Sequence, residues 1–199
     1  KQADAVLREE QAGFRSGRSC TDQIFTLRRI LEQALEHKTP LIINFIDFEK
    51  AFDSLDRESL WKILAVYGIP PKYIRVLANL YEDSECCVKV ENDHTQWFKI
   101  LTGVKQGCVL SPVLFGLAMD WLMRQTIGVA TRGLKWTGTQ ETLEDLDFAD
   151  DIALLSVSAE DMQLKTDRLY EMGQRIGLKI SEKKTQLMAL CMTDPAITV

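Results

Sequence analysis

Three aspartates occupy positions at which carboxylates could do chemistry. Asp47 stands at the end of an apolar run that has the pattern of a buried strand. Asp150 and Asp151 are adjacent, between two short apolar segments, residues 143–149 and 152–157, which predict a hairpin with the acid pair at its tip. Each feature alone has a simple structural explanation, because aspartate is common in turns and at strand ends.

Together the three acids suggest a metal site, provided that the sheet brings Asp47 beside the hairpin tip. Carboxylates about 4 Å apart repel each other by about 4 kcal/mol at an effective dielectric constant of about 20, so their convergence requires a cation or a raised pKa. Two divalent cations could neutralise the cluster and hold the attacking and leaving oxygens of a phosphoryl transfer. Oxygen ligands favour Mg²⁺, with Mn²⁺ as the second candidate.

Composition limits the class of protein. The chain has 199 residues, of which 46% are hydrophobic and 27% charged, as in an ordinary globular domain. Its net charge of −5 counts against a nucleic-acid-binding face, although bound metal would offset part of the acidic charge. The five cysteines form no Cys-x-x-Cys pair, which predicts free thiols and no zinc site. No apolar run is long enough to span a membrane, and residues 1–10 are polar and charged, unlike a signal peptide, so we expect an intracellular protein.

The apolar periodicity and the positions of proline and glycine predict the elements that must hold the acids. Helices are predicted over residues 21–36, 56–67, 71–83, 111–127 and 158–176. Strands are predicted over residues 41–48, 85–90, 96–101, 143–149, 152–157, 178–180 and 186–190, with Asn92 and Asp93 at one turn. Helices and strands do not alternate regularly, which favours an α+β fold with an antiparallel sheet.

Five segments, in order along the chain, resemble the reverse transcriptases of non-LTR (LINE-type) retrotransposons. They are GFRSGRS at residues 13–19, NFIDFEKAFD at 44–53 (motif A), GVKQGCVLSP at 103–112 (motif B), FADD at 148–151, and the motif D-like segment at 177–185. A single such segment would be weak, whereas five in the family's order are specific.

This resemblance implies an RNA-directed DNA polymerase with a palm domain, in which an antiparallel sheet packs on helices. It implies partial fingers over residues 1–40 and the palm over residues 41–199, with RNA template, DNA primer and deoxynucleoside triphosphates as partners. Relatives of this kind carry further domains, such as an endonuclease and a thumb, in one longer polyprotein. From the family's order of motifs, the primer grip would be expected at about residues 194–199, where this sequence stops.

The resemblance also assigns roles to the chemistry-bearing residues. Asp47, Asp150 and Asp151 would hold the metal ions together with the backbone carbonyl of Phe48, and Asp151 would be the less direct ligand. Lys184 would face the pyrophosphate as a candidate general acid.

Further residues would contact the substrates. Phe52 would lie under the sugar of the incoming nucleotide and exclude a 2′-hydroxyl, and Phe48 would also contact the nucleotide. Gln106 and Gly107 would line the nucleotide pocket and touch the template. The predicted template and primer contacts are Arg15, Arg18, Ser111 and Pro112.

Each assignment has a structural alternative. Phe52 could be a core aromatic, residues 106–107 an ordinary turn, and Lys184 a solvated charge. We expect structural roles for the remaining acids, with Asp53 as a helix cap and with Asp145 and Asp147 as charges on a strand face. At the level of the whole chain, the alternatives are a catalytically inert module that binds nucleic acid or protein, and another palm-type enzyme such as a nucleotide cyclase. The segment at residues 106–112, followed by a helix, disfavours the cyclase.

Overall fold

A computed structural model describes residues 6–91, 93–127, 133–135, 142–192 and 197–198 of the chain. The helices are α1 Cys20–His37, α2 Ala51–Ser54, α3 Arg57–Val66, α4 Pro71–Glu82, α5 Ser111–Ile127 and α6 Ala159–Arg175. The strands are β1 Leu41–Ile46, β2 Glu85–Cys86, β3 Lys89–Val90, β4 Asp93–His94, β5 Phe98–Lys99, β6 Leu134–Lys135, β7 Thr142–Leu143, β8 Asp145–Phe148, β9 Asp151–Ser156 and β10 Gln186–Leu190. The predicted helices are therefore all present, with bounds that differ by one or two residues.

Four strands form the central sheet, in the order β10-β1-β9-β8, and every neighbouring pair is antiparallel. Apolar side chains cover both of its faces. Ile42 and Ile46 of β1 join the larger core, which also contains residues of α3, α5 and α6. Leu41 and Ile43 join a second cluster with Ile30 of α1. Burial on both faces explains why the sequence of β1 is a nearly continuous apolar run instead of an alternating one. The predicted α+β class and antiparallel sheet are confirmed.

The predicted strand at residues 178–180 is absent as a named strand. Ile180 instead makes an isolated antiparallel bridge to Phe48. The Glu49 amide donates to the Lys179 carbonyl at 2.8 Å, and the Ser181 amide donates to the Asp47 carbonyl at 2.8 Å. The segment thus pairs with the chain just after β1, where irregular backbone interrupts the ladder.

The predicted hairpin over residues 85–101 is divided into two short pairings, β2 with β5 and β3 with β4. Most of its side chains are exposed, including Trp97 and Phe98, so a long regular ladder gains little from burial. Asn92 at the predicted turn lies outside the described residues, as do residues 194–196 and 199 of the expected primer-grip position.

Two further expectations concern the whole chain. All five cysteines lie in the described part and are free thiols, as predicted. Among the described helices, none has the length and apolar character needed to cross a membrane. The boundary at residue 40 between fingers and palm stays a prediction.

Candidate active site

Strand register brings the three predicted acids to one end of the central sheet. Ile46 of β1 pairs with Ile152 of β9 in an antiparallel ladder, so Asp47 after β1 and Asp151 at the start of β9 come next in register. Asp150 immediately precedes Asp151, in the two-residue turn between β8 and β9. Sequence could place each acid at the end of its own strand, and the pairing of the strands is what gathers them.

The pKa of Asp150 reflects the proximity of the three acids. Asp150 is partly buried, and burial raises the pKa of its carboxyl above the ordinary value. The negative charges of Asp151 and Asp47 raise the same pKa further. Repulsion among the three carboxylates is therefore only partly relieved by solvent, and a cation bound beside them would relieve it.

A lysine lies beside the first of these acids. Lys184 Nζ is 3.2 Å from Asp47 Oδ1, and the lysine side chain is 68% exposed. The loop before β10 holds it there, because the Thr185 hydroxyl accepts from the Asp47 amide at 3.4 Å and the Lys184 amide donates to the Ser181 carbonyl at 3.1 Å. The predicted general acid and the predicted metal ligand thus form an ion pair in this structure.

The donor chemistry fits a hard divalent cation, since all the side chains concerned offer carboxylate oxygens. Within residues 6–91, 93–127, 133–135, 142–192 and 197–198, however, no three His, Cys, Asp or Glu side chains are gathered closely enough to form a metal-binding group. Asp47 is turned toward Lys184 instead. Asp47 and Asp151 both line a cleft of about 330 Å³ between α1 and the sheet, and this cleft is open to solvent.

Phe52 is part of the core on one side and open on the other. Its ring stacks on Phe115 of α5 with centroids 4.2 Å apart, and Phe14 approaches edge-on at 5.8 Å. Phe115 is fully buried, whereas Phe14 is 56% exposed. The structural alternative for Phe52 therefore holds for its contact with α5. The ring is only partly buried, and its contact with a nucleotide sugar stays a prediction.

The loop of residues 103–107 is fastened to α2, the helix that carries Phe52. Val104 donates through its amide to the Phe52 carbonyl at 2.7 Å. Gly103 has φ +75° and lies so close to α2 that a Cβ there would stand 2.6 Å from the backbone of Asp53. Gln106 Nε2 donates to Asp53 Oδ1 at 3.1 Å. The two predicted nucleotide-pocket segments are therefore adjacent, and the exposed Gly107 has φ +79° with open space around it.

Asp53 is not the predicted helix cap. It lies within α2, and the N-cap of α3 is Asp56, whose side chain accepts from the Ser59 amide. The reason is the extended backbone at Asp56, which directs its carboxylate at the first turn of α3.

The residues predicted to meet template and primer are engaged mainly with the protein. Arg15 donates to the backbone carbonyls of Arg8 and Gln11 at 2.6 and 2.9 Å. Arg18 pairs with Glu9 at the surface. These contacts give the two arginines structural partners, so their contacts with nucleic acid stay predictions.

Ser111 and Pro112 begin α5. Ser111 is 1% exposed, and its hydroxyl is hydrogen-bonded with the Tyr81 hydroxyl at 3.1 Å. The structure therefore gives Ser111 a place in the core, while Pro112 is partly exposed. Contacts of either residue with template or primer stay predictions.

Asp145 and Asp147, predicted to be structural charges on a strand face, are buried ion-pair partners of Arg8. Arg8 Nη1 and Nη2 donate to Asp145 at 3.1 and 2.6 Å, and Nη2 also donates to Asp147 at 2.5 Å. Burial, followed by the charge of Asp145, raises the pKa of Asp147 well above its ordinary value. The Arg8 amide donates to buried Asp120 of α5 at 2.7 Å. Sequence reasoning missed this network, although a lone acid in the apolar helix α5 and two acids at a spacing of two were available signals.

The chain matches the family model described as "Reverse transcriptase (RNA-dependent DNA polymerase)" over residues 1–195. It is 31% identical over 177 residues to the Pol polyprotein of the type-2 retrotransposable element R2DM of Drosophila melanogaster, a match that covers 87% of this chain and 16% of that protein. It is 30% identical over 188 residues to the probable RNA-directed DNA polymerase from transposon BS of the same species, covering 90% of this chain and 20% of the relative. The chain thus spans about a fifth or less of these relatives.

Solved structures show the same fold. The telomerase of Candida tropicalis in complex with a fragment of telomeric RNA superposes with a TM-score of 0.69 at 19% identity, over 94% of this chain and 32% of that one. The apo telomerase, truncated from its C-terminal domain, gives a TM-score of 0.67 at 21% identity, over 94% of this chain and 39% of that one. With a family match along nearly its whole length, this chain belongs to the reverse transcriptase (RNA-dependent DNA polymerase) family.

Proposed function

We propose that this chain is the palm of an RNA-directed DNA polymerase and that Asp47, Asp150 and Asp151 serve a two-metal nucleotidyl transfer. The observation that carries the proposal is the register of β1 and β9, which puts three carboxylates at one sheet end. The charges of two of them raise the pKa of the third, and such repulsion favours cation binding. Membership of the family supports the proposed reaction. The proximity of the three acids supports their assignment as the residues that serve it.

In the proposed reaction the 3′-hydroxyl of a DNA primer loses its proton to solvent and its oxygen attacks the α-phosphorus of a deoxynucleoside triphosphate, while the bond from that phosphorus to the pyrophosphate oxygen breaks. Two Mg²⁺ ions held by Asp47, Asp150, Asp151 and the Phe48 carbonyl would polarise the phosphate and stabilise the attacking and leaving oxygens. To serve as a metal ligand, Asp47 would have to separate from the Lys184 ammonium, with which it is paired in this structure. Lys184 would then be free to donate a proton to the leaving pyrophosphate.

Phe52 and the loop of residues 103–107 would form the nucleotide pocket. The stacked contact of Phe52 with buried Phe115 fixes the ring, and the Gln106–Asp53 hydrogen bond ties the loop to the same helix. A rigid ring at the edge of the site can reject a 2′-hydroxyl by overlap. RNA template, DNA primer and an intracellular setting within a longer polyprotein belong to the same proposal.

A catalytically inert binding module is the second candidate. It is favoured by the pairing of Asp47 with Lys184, and by the lack of any three-residue metal-binding group among the described residues.

Primer extension on an RNA template distinguishes the two candidates. It should be measured for the 199-residue chain and for the chain extended at both ends by the matching flanks of the R2DM relative. Extension that requires Mg²⁺ and is lost in Asp150→Asn would support the polymerase. Asp167→Asn is the matched control, because Asp167 is an exposed acid of α6 whose carboxylate accepts only a hydrogen bond from Gln163 of the same helix among the contacts described. No extension by either version, with RNA binding retained, would favour the inert module.

A further inference from the structure

Gln11 holds the backbone of the turn that carries the acid pair. It is 1% exposed and makes an isolated parallel bridge with Asp147 at the outer edge of β8. Its side-chain Oε1 accepts from the amides of Ala149 and Gly13 at 2.8 and 2.7 Å, and its Nε2 donates to the Ala149 carbonyl at 3.1 Å. One buried amide therefore satisfies both backbone groups of the residue immediately before Asp150.

The turn needs such support, because Ala149 has φ +60°. This left-handed conformation favours glycine, and an alanine must be held in it by its surroundings. Gly13 packs on the same residue so closely that a Cβ at Gly13 would lie 2.1 Å from the Ala149 amide nitrogen. Gln11 and Gly13 of the N-terminal segment thus both contact Ala149, the first residue of the two-residue turn.

The strand-like pairing of this segment has other supports. The Ala12 amide donates to the Asp147 carbonyl at 2.9 Å, and the Asp147 amide donates to the Glu10 carbonyl at 3.2 Å. Gln23 of α1 donates to the carbonyls of Glu10 and Asp147 at 2.8 and 3.1 Å. Of the hydrogen bonds described for this contact, those of the Gln11 side chain are the ones that reach the turn itself.

We infer that Gln11 is a positioning residue: by fixing the backbone of Ala149 it sets the placement of Asp150 and Asp151, and so the affinity of the acid cluster for divalent cations. This inference rests on the proposed function. Gln11 touches neither substrate nor metal and acts only through the turn, as groups that orient metal ligands commonly do.

The test uses Gln11→Met in the 199-residue chain, which keeps the length of the side chain and removes its donor and acceptor. Mn²⁺ binding is followed by electron paramagnetic resonance, and exchange of the Ala149 amide hydrogen by NMR. We expect Mn²⁺ affinity to fall about ten-fold or more and the Ala149 amide to lose its protection. Gln23→Met is the matched control, because it removes two hydrogen bonds from the same segment without touching the turn; its Mn²⁺ affinity should stay at the wild-type level.

A rescue separates positioning from general destabilisation. Ala149→Gly added to Gln11→Met should recover most of the Mn²⁺ affinity, because glycine adopts a positive φ without help. Equal Mn²⁺ affinity of wild type and Gln11→Met would overturn the positioning role of Gln11. A loss of Mn²⁺ affinity in Gln23→Met as large as that in Gln11→Met would overturn it as well, while leaving the proposed metal site in place. A wild-type chain that protects the Ala149 amide and yet binds no Mn²⁺ would instead overturn the proposed metal site.

Discussion

At the scale of single residues, Asp150 joins the fold to the proposed chemistry. Its pKa is raised in the folded state by burial and by the charges of Asp151 and Asp47. A carboxyl whose folded pKa exceeds its unfolded pKa binds protons more tightly when folded, so its ionisation costs stability as pH rises through that window. This cost is present at neutral pH and disappears on acidification below the ordinary value of 3.8.

We therefore expect Asp150→Asn to raise the melting temperature at neutral pH without divalent cations. The carboxyl is only half-buried, and screened repulsion at such a site amounts to less than about 1 kcal/mol. In a domain of this size that is a rise of about 2–4 °C or less. Thermal unfolding at pH 7.5 and pH 4 measures it, and the gain should shrink at the lower pH. A lower melting temperature for the variant at pH 7.5 would contradict the repulsion.

Phe52 is a second residue whose role is testable. The stacking on Phe115 predicts that Phe52→Val destabilises the chain, since it removes a large side chain from a partly buried contact. If the ring also excludes a 2′-hydroxyl, the ratio of ribonucleotide to deoxynucleotide incorporation should rise about ten-fold or more, because a barrier change of 1.4 kcal/mol is ten-fold.

Competition of dNTPs and NTPs on one RNA template, with the chain extended at both ends, gives that ratio. Phe52→Tyr is a useful control, because it keeps the ring and the stacking. An unchanged ratio in Phe52→Val, together with lower stability, would leave Phe52 as a core residue only.

At the scale of elements, Arg57 fastens α3 to the β2–β5 hairpin and to the loop before α5. Its guanidinium donates to four backbone carbonyls at 2.9–3.0 Å, those of Tyr81, Ile100, Thr102 and Gly103. It also lies over the Tyr81 ring, with Cζ 5.0 Å from the ring centroid. Burial lowers the pKa of Arg57, because the charged guanidinium loses part of its hydration where it makes these contacts.

We predict that Arg57→Met lowers the free energy of unfolding by about 1–3 kcal/mol, the contribution of about one hydrogen bond from a charged donor, because two of the four bonds are exposed and water replaces the lost donor there. Urea denaturation measures the change. Arg57→Lys keeps the charge but loses the planar fork, so it should recover only a minor part of the loss. Full recovery by lysine would mean that charge alone, and not the bridging of the four carbonyls, accounts for the effect.

At the scale of the whole molecule, the Arg8 network joins the N-terminal segment, β8 and α5. Asp120 accepts from the Arg8 amide, from Arg124 Nε at 2.7 Å and from the Tyr67 hydroxyl. Burial, reinforced by Asp120, raises the pKa of Tyr67. These contacts connect parts of the chain more than 100 residues apart, behind the strand that leads to the acid turn.

Removing the arginine leaves buried carboxylates without a counter-charge. We expect Arg8→Met to lower the free energy of unfolding by about 3–5 kcal/mol at neutral pH. The raised pKa of Asp147 means that its ionised form costs stability as pH rises from the ordinary value of 3.8, so the loss should be smaller at pH 5 than at pH 7.5.

Denaturation curves at the two pH values check this prediction. The triple variant Arg8→Met, Asp145→Asn, Asp147→Asn is the matched control and should recover most of the stability, because it removes the charges on both sides of the pair. A destabilisation of Arg8→Met that is independent of pH would indicate lost packing in place of uncompensated charge.

The sequence by itself determined five of the six described helices, the strands of the central sheet and the family, while the one-turn helix α2 was not predicted. These rest on local patterns: the apolar periodicity of α1, the glycine and prolines around α3 and α4, and the order of the five segments. The free state of the cysteines and the antiparallel sheet also followed from pattern and composition. The predicted strand at residues 178–180 was wrong in detail, because it depends on which backbone groups find partners across the central sheet. The long hairpin at 85–101 was also wrong in detail, because its exposed side chains gain little from a long ladder.

Only the tertiary structure decided which polar residues meet. The burial of Asp145, Asp147 and Ser111, and the hold of Gln11 on Ala149, depend on contacts between segments distant in the chain. Local sequence shows that a residue is polar, but whether it is solvated or paired depends on what the folded chain places against it. The three acids of the proposed site show both contributions. The local sequence pattern placed each acid at the end of a strand, and only the register of β1 with β9 brought the three together.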